Sequence, residues 1–195
     1  MQRKIVSFIT LAVVVFAAGD AVAQSPVVAT RKAEIEDMLE RGRWGEAYAA
    51  LTALEGDIDP ITNRHDAEWV EYEKVCAAVE LGMVDAEQMM QAFIADYPAS
   101  IYRNNMLYTL ACFYTDNGMI ERGASVFADV EYKALSGIAR ERYDMRVGYA
   151  RFKEGDYEGA MTHLKRVAKT SDYYPHALYY ISYIHYNQGN LNVAN

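Results

Sequence analysis

Proline and glycine are scarce, at 4 and 12 of 195 residues. With so few turn-formers, a barrel or sandwich of many short strands is excluded, and an all-helical body fits. Positive charge is also short. The formal net charge is −8 and the pI near 5. A surface this acidic repels phosphate backbones, which excludes nucleic acid as a partner. Gly-x-Gly never occurs, so no glycine-rich phosphate loop is present. There is no G-x-S-x-G nucleophile elbow. The four histidines, His65, His163, His176 and His185, form no H-E-x-x-H pair. They read as surface or groove residues. The expectation is therefore no catalytic residue, no metal and no cofactor. The acidic residues Glu34, Glu36, Asp37 and Glu40, and again Glu68, Glu71 and Glu73, read as solvated helix faces. Lys165, Arg166 and Lys169 read as positive charge at a helix C-terminal end, where the dipole favours it.

Long apolar runs are missing too. The run at 5–18 has 14 residues, against about 20 for a membrane-spanning helix. It follows Arg3 and Lys4 and precedes Ala21-Val22-Ala23. A basic start, a short apolar stretch and a small-x-small site form the layout of a secretory signal peptide. The expectation is cleavage after Ala23 and an exported protein, periplasmic or outer-membrane-associated. The only membrane contact expected is through that peptide before cleavage. Losing Arg3, Lys4 and Asp20, two basic residues and one acidic, takes the net charge from −8 to −9. The first cysteine is Cys76, far from the cut, so no lipid anchor is indicated.

What the chain does have is one pattern, repeated. It is clearest over 143–194. Val147, Gly148, Phe152, Gly155, Tyr157, Ala160 and Leu164 are echoed by Ile181, Ser182, Tyr186, Gly189, Leu191 and Ala194. Gly155 and Gly189 are 34 residues apart, a spacing characteristic of stacked antiparallel helix pairs. Gly42, Gly82 and Gly118 mark earlier units, with spacings of 40, 36 and 37. Apolar residues at three- and four-residue spacing predict helices over 32–41, from Trp44 to Leu54, 66–81, 86–93, and onward in the same rhythm. Gly56 and Asp59-Pro60 open the longest linker, to about Asn63. The units run 24–63 (a partial first pair and linker), 66–98, 101–135, 138–172 and 175–195. The last reads as truncated, because the helix over 176–186 is apolar or aromatic almost all round and cannot serve as a cap.

Aligned on those glycines, the units resemble tetratricopeptide repeats. Val147-Gly148, Gly155, Tyr157, Ala160 and Leu164 carry the resemblance best. Leu110-Ala111, Tyr114, Gly118 and Phe127 match fairly, and Ala86 falls one residue early. The resemblance covers about residues 32–195 and implies an all-α, right-handed superhelical solenoid. The segments 93–100 and 173–177 are similar to the Tyr-Pro turns of exported envelope repeat proteins, among them the Tol-Pal-associated division coordinator and the outer-membrane assembly lipoproteins. The absent lipobox departs from the latter. In the family, the first helix of each pair lines a concave face. That implies a partner-binding groove of Tyr72, Tyr108, Arg142, Tyr149, Phe152, Lys153, Tyr179, Tyr183, Tyr186 and Asn187, rich in tyrosines suited to peptide or sugar. Cys76 and Cys112 occupy equivalent places in neighbouring units, about 8–10 Å apart in such stacks. A disulfide needs Cα atoms within about 7 Å, so free, semi-buried thiols are expected. The functional expectation is an exported scaffold for protein–protein interaction in envelope assembly or division. The alternatives are the N-terminal arm of a larger exported enzyme or sensor, and a glycan-binding module.

Overall fold

The computed structural model describes residues 26–189. The signal-peptide region, Leu191 and Ala194 lie outside them. Among the described residues there are nine α-helices, one short 3-10 helix and no strand. None of these helices is long and apolar enough to cross a membrane.

The chain divides into two compact units. In the first are α1 (Pro26–Glu40), α2 (Trp44–Glu55), α3 (Arg64–Glu80) and α4 (Ala86–Asp96). In the second are α5 (Arg103–Asp116, all but its first residue), α6 (Ile120–Ala128), the 3-10 turn Tyr132–Ala134, α7 (Gly137–Lys153), α8 (Tyr157–Leu164) and α9 (Tyr174–Asn187). Helix α1 starts six residues before the expected Lys32. Pro26 opens it, and proline at a first helical position is preorganised for the helix.

The first four glycines that marked the repeat each close the first helix of a pair, and Gly189 closes α9. Gly42, Gly82, Gly118, Gly155 and Gly189 have φ of 68°, 65°, 79°, 80° and 75°. The left-handed conformation disfavours any residue with a Cβ. At the first four the bonding is a Schellman cap. At the fourth glycine, Gly155 N–H donates to Phe152 O at 3.1 Å and Asp156 N–H to Arg151 O at 2.9 Å. The chain then reverses into the second helix within two residues. Nothing lies within 4 Å of a Cβ built on Gly155. Its backbone angle alone requires the glycine.

The first unit closes around Ile35, Leu51, Leu54, Ile58, Trp69 and Val70. The second has a core of Ala160, Leu164, Val167, Ala177 and Ile184, against which Met145, Phe152, Tyr173 and Tyr180 pack. Both cysteines are free and buried, more deeply than the semi-buried state expected.

Gly148 sets how near α7 and α8 approach. A Cβ there would stand 2.7 Å from Leu164 Cγ and 3.3 Å from Leu164 N. Leu164 is 1% exposed and cannot retreat. Overpacking of this kind costs about 1–3 kcal/mol, while alanine recovers about 1 kcal/mol of helix propensity. Gly148→Ala is expected to lose about 1 kcal/mol in urea unfolding. Gly45→Ala on α2, where nothing lies within 4 Å, is expected to lose nothing.

The carboxylates read as solvated are not all so. Glu68 is 6% exposed and accepts from Arg64 Nε at 2.8 Å. Glu73 is half-buried within reach of the Lys32 and Glu36 charges of α1, and its pKa rises from 4.5 to about 7, chiefly through burial and then through the Glu36 charge. A helical row of acids shows its spacing, and the neighbouring helix decides which side is covered.

Candidate functional site

Helices α7 and α9 bring most of the expected groove residues together in the second unit. Tyr179, Tyr183 and Tyr186 recur at i, i+4 and i+7 on α9, a spacing that keeps them on one face. They are 63%, 43% and 65% exposed. Tyr179 meets Tyr180 edge-on at 5.2 Å. Tyr180 lies 5.3 Å from Tyr149 and 5.0 Å from Phe152 on α7. Phe152 meets Tyr183 at 5.3 Å and 80°. These are the tilted and edge-to-face arrangements that aromatic quadrupoles prefer. Tyr180 joins this ring network and was missed in the sequence, where it falls outside the expected ligand-facing positions. Burial, then the nearby Tyr149 and Tyr179, raise its pKa, so its hydroxyl stays a donor across the neutral range. Phe152 and Tyr180 also touch the core, which fixes the exposed tyrosines on a rigid base.

Helix α9 contains histidine but no Asp, Glu, Lys or Arg. Lys153 at the end of α7 and Asn187 at the end of α9 are both exposed. Arg142, half-buried, donates from Nε to Tyr173 Oη at 2.9 Å. Tyr108, on α5, is half-buried, its ring 6.3 Å from Phe127. Tyr72 is a correction. It is 7% exposed, stacked on Tyr102 at 4.5 Å and tilted against Phe93 at 5.9 Å, so it belongs to the core of the first unit. The turn carrying Tyr102 covers it, and helical spacing on α3 alone does not show that.

His163, expected at the surface or in the groove, is half-buried and paired with a carboxylate. Its Nδ1 is 2.8 Å from Asp144 Oδ1. Asp144 is 1% exposed and also accepts from the Tyr132 hydroxyl at 2.7 Å, with Arg166 Nη1 at 3.7 Å. Arg166 thus serves a buried carboxylate as well as a helix end. Among the described residues no group of three or more His, Cys, Asp or Glu side chains is placed to hold a metal.

Helix pairs closed by left-handed glycines, with tyrosines on the first helices, invite comparison with solved repeat proteins. A point mutant of MamA aligns at a TM-score of 0.63 and 16% identity, covering 86% of each chain. The fold is that of TPR-like repeats. MamA MSR-1 C2 aligns at 0.61 and 17% identity, over 87% of this chain and 91% of that one. A Podosopora anserina putative kinesin light chain with nearly identical TPR-like repeats aligns at 0.58 and 14%, over 86% and 90%. No protein-family model and no curated protein matches the sequence.

Proposed function

We propose that the second unit presents a peptide-binding face, and that the chain is an exported scaffold for protein–protein interaction in the cell envelope, in assembly or division. The observation that carries the binding reading is the row Tyr179, Tyr183 and Tyr186, held exposed on a rigid aromatic base. Tyrosines supply flat apolar area and a hydroxyl with few rotamers to freeze, which suits an extended peptide. The TPR-like fold supports the scaffold reading, and the basic-apolar-small start of the sequence supports export.

The test is a pulldown from envelope extract with the full chain and with Tyr149→Ala combined with Tyr183→Ala, each captured partner then titrated against both proteins. Interface tyrosines contribute about 1–2 kcal/mol or more each, so the double change is expected to weaken a captured partner at least tenfold. Unchanged affinity would remove the face from the proposal. Binding to a glycan array with no peptide capture would replace the peptide by a sugar.

A further inference from the structure

Helices α6, α7 and α8 of the second unit line a cleft of about 360 Å³ that shares no residue with the tyrosine row. Phe127, Val147 and Ala150, all buried, give it an apolar floor. His163 of α8 also lines it. The His163 Nδ1 is 2.8 Å from Asp144 Oδ1. Asp144 is buried, with the Tyr132 hydroxyl on its other oxygen and Arg166 near the first. A carboxylate so surrounded by donors accepts, so Nδ1 carries the proton and donates. In the neutral ring, Nε2 is then a bare acceptor left to the cleft. It makes no hydrogen bond with another described residue and is not shut off from solvent. In the preceding helix pair, counted from the closing glycines, Leu107 and Val126 stand where Asp144 and His163 stand here. Both are apolar, and packing alone does not call for a buried carboxylate, which is costly to desolvate. What the Asp144–His163 pair adds is an acceptor fixed in the cleft wall.

On α6, Glu121 and Ser125 are one turn apart, exposed, and line the same cleft. Neither has a hydrogen bond or ion pair with another described residue. Arg151, also in the lining, is held by Asp156 at 3.4 Å and faces Glu154 at 4.0 Å. The lining residues and the groups paired with them thus bring four carboxylates, Asp144, Glu121, Glu154 and Asp156, against two guanidinium groups, Arg151 and Arg166. The local surplus is negative, and it falls on Glu121, which no cation answers.

We propose that this cleft takes a lysine side chain of a partner protein, its stem along Phe127, Val147 and Ala150 and its ammonium shared by Glu121, Ser125 and His163 Nε2. A long apolar stem with a charged tip matches an apolar floor edged by acceptors. An ammonium turns three donors toward separate acceptors, and here three acceptors come from two helices. The planar fork of arginine suits a single carboxylate held side-on, which the cleft does not single out. The site is distinct from the tyrosine face, so each reading stands without the other.

The experiment reads the His163 ring nitrogens of the full chain by NMR at about pH 8.5, above the range of a free imidazole and below that of a free lysine. Before any addition, Nδ1 is expected to carry the proton and Nε2 none. N-acetyl-lysine N-methylamide is then titrated in, with the norleucine and arginine compounds of the same form as the other arms. A saturable shift of Nε2 is expected with the lysine compound, with Kd of about 1 mM or weaker for so small a probe. The norleucine compound is expected to give none. Glu121→Gln and Ser125→Ala are each expected to weaken the lysine compound about threefold, the share of one exposed pair or one neutral hydrogen bond. Both residues are exposed and have no partner to lose, so neither change threatens the fold. A proton on Nε2, or no saturable shift with the lysine compound, would overturn the proposal. So would an equal response to norleucine, which needs no ammonium, or an unchanged Kd in both variants, which puts the probe elsewhere. Tighter binding of the arginine compound would overturn the choice of lysine. The tyrosine double variant is expected to keep the lysine response, and its loss there would overturn the claim of a separate site.

Discussion

Asp144→Ala is expected to lose about 3 kcal/mol in urea unfolding, the largest loss of any single change considered. The side chain is almost wholly buried, and three donors converge on it: the Tyr132 hydroxyl, His163 Nδ1 and Arg166. Removing one member of a buried polar cluster costs about 3–5 kcal/mol, because the others are left without partners. Here the lower end applies. Arg166 is half exposed and turns to water, whereas Tyr132 and His163 have less freedom. The equivalent place on α5, counted from the closing glycines, is Leu107, which is 5% exposed and apolar. Asp144→Leu therefore fits the volume but leaves the same donors idle, and is expected to recover only part of the loss. Asp144→Asn keeps one acceptor for the Tyr132 hydroxyl and is expected to lose about 1 kcal/mol, one neutral hydrogen bond's worth. Equal unfolding midpoints for Asp144→Ala and the parent chain would mean that the cluster holds nothing together.

The contrast between Leu107 and Asp144 shows what could be read from the sequence. The closing glycines could, because a left-handed residue admits few alternatives and five of them recur 34 to 40 residues apart. With them came the helix pairs, the turns and the exposed row on α9. Contacts that join helices far apart in sequence were hidden. His163 and Asp144 are 19 residues apart on two helices, and neither sits in a motif. Asp116 and Arg146 are 30 apart. Tyr72 and Tyr149 look alike along their helices, but Tyr102 stacks over the first, while the second sits half-buried in the aromatic face of α7 and α9. Spacing gives the side of a helix on which a residue lies; the neighbouring chain decides whether that side meets water.

Glu73 is the second case where that neighbour matters, and its consequence is a pH dependence with the opposite sign to most carboxylates. Its pKa in the folded chain is about 7, against 4.5 when free, from burial first and the Glu36 charge second, with Lys32 opposing. Between pH 4.5 and 7 the folded state therefore binds more protons here than the unfolded state. Stability falls as pH rises through that window and is level above it. The displacement corresponds to about 3 kcal/mol at about pH 8. Glutamine keeps the shape and carries no charge at any pH. Glu73→Gln is thus expected to match the parent chain at about pH 4.5 and to exceed it by about 3 kcal/mol at about pH 8, measured by urea unfolding of the two proteins side by side. The difference between them reports Glu73 together with its coupling to Glu36 and Lys32. A gain that is the same at both pH values would point to packing instead of charge. A loss at the higher pH would mean that the carboxylate is held by a cation in the folded state.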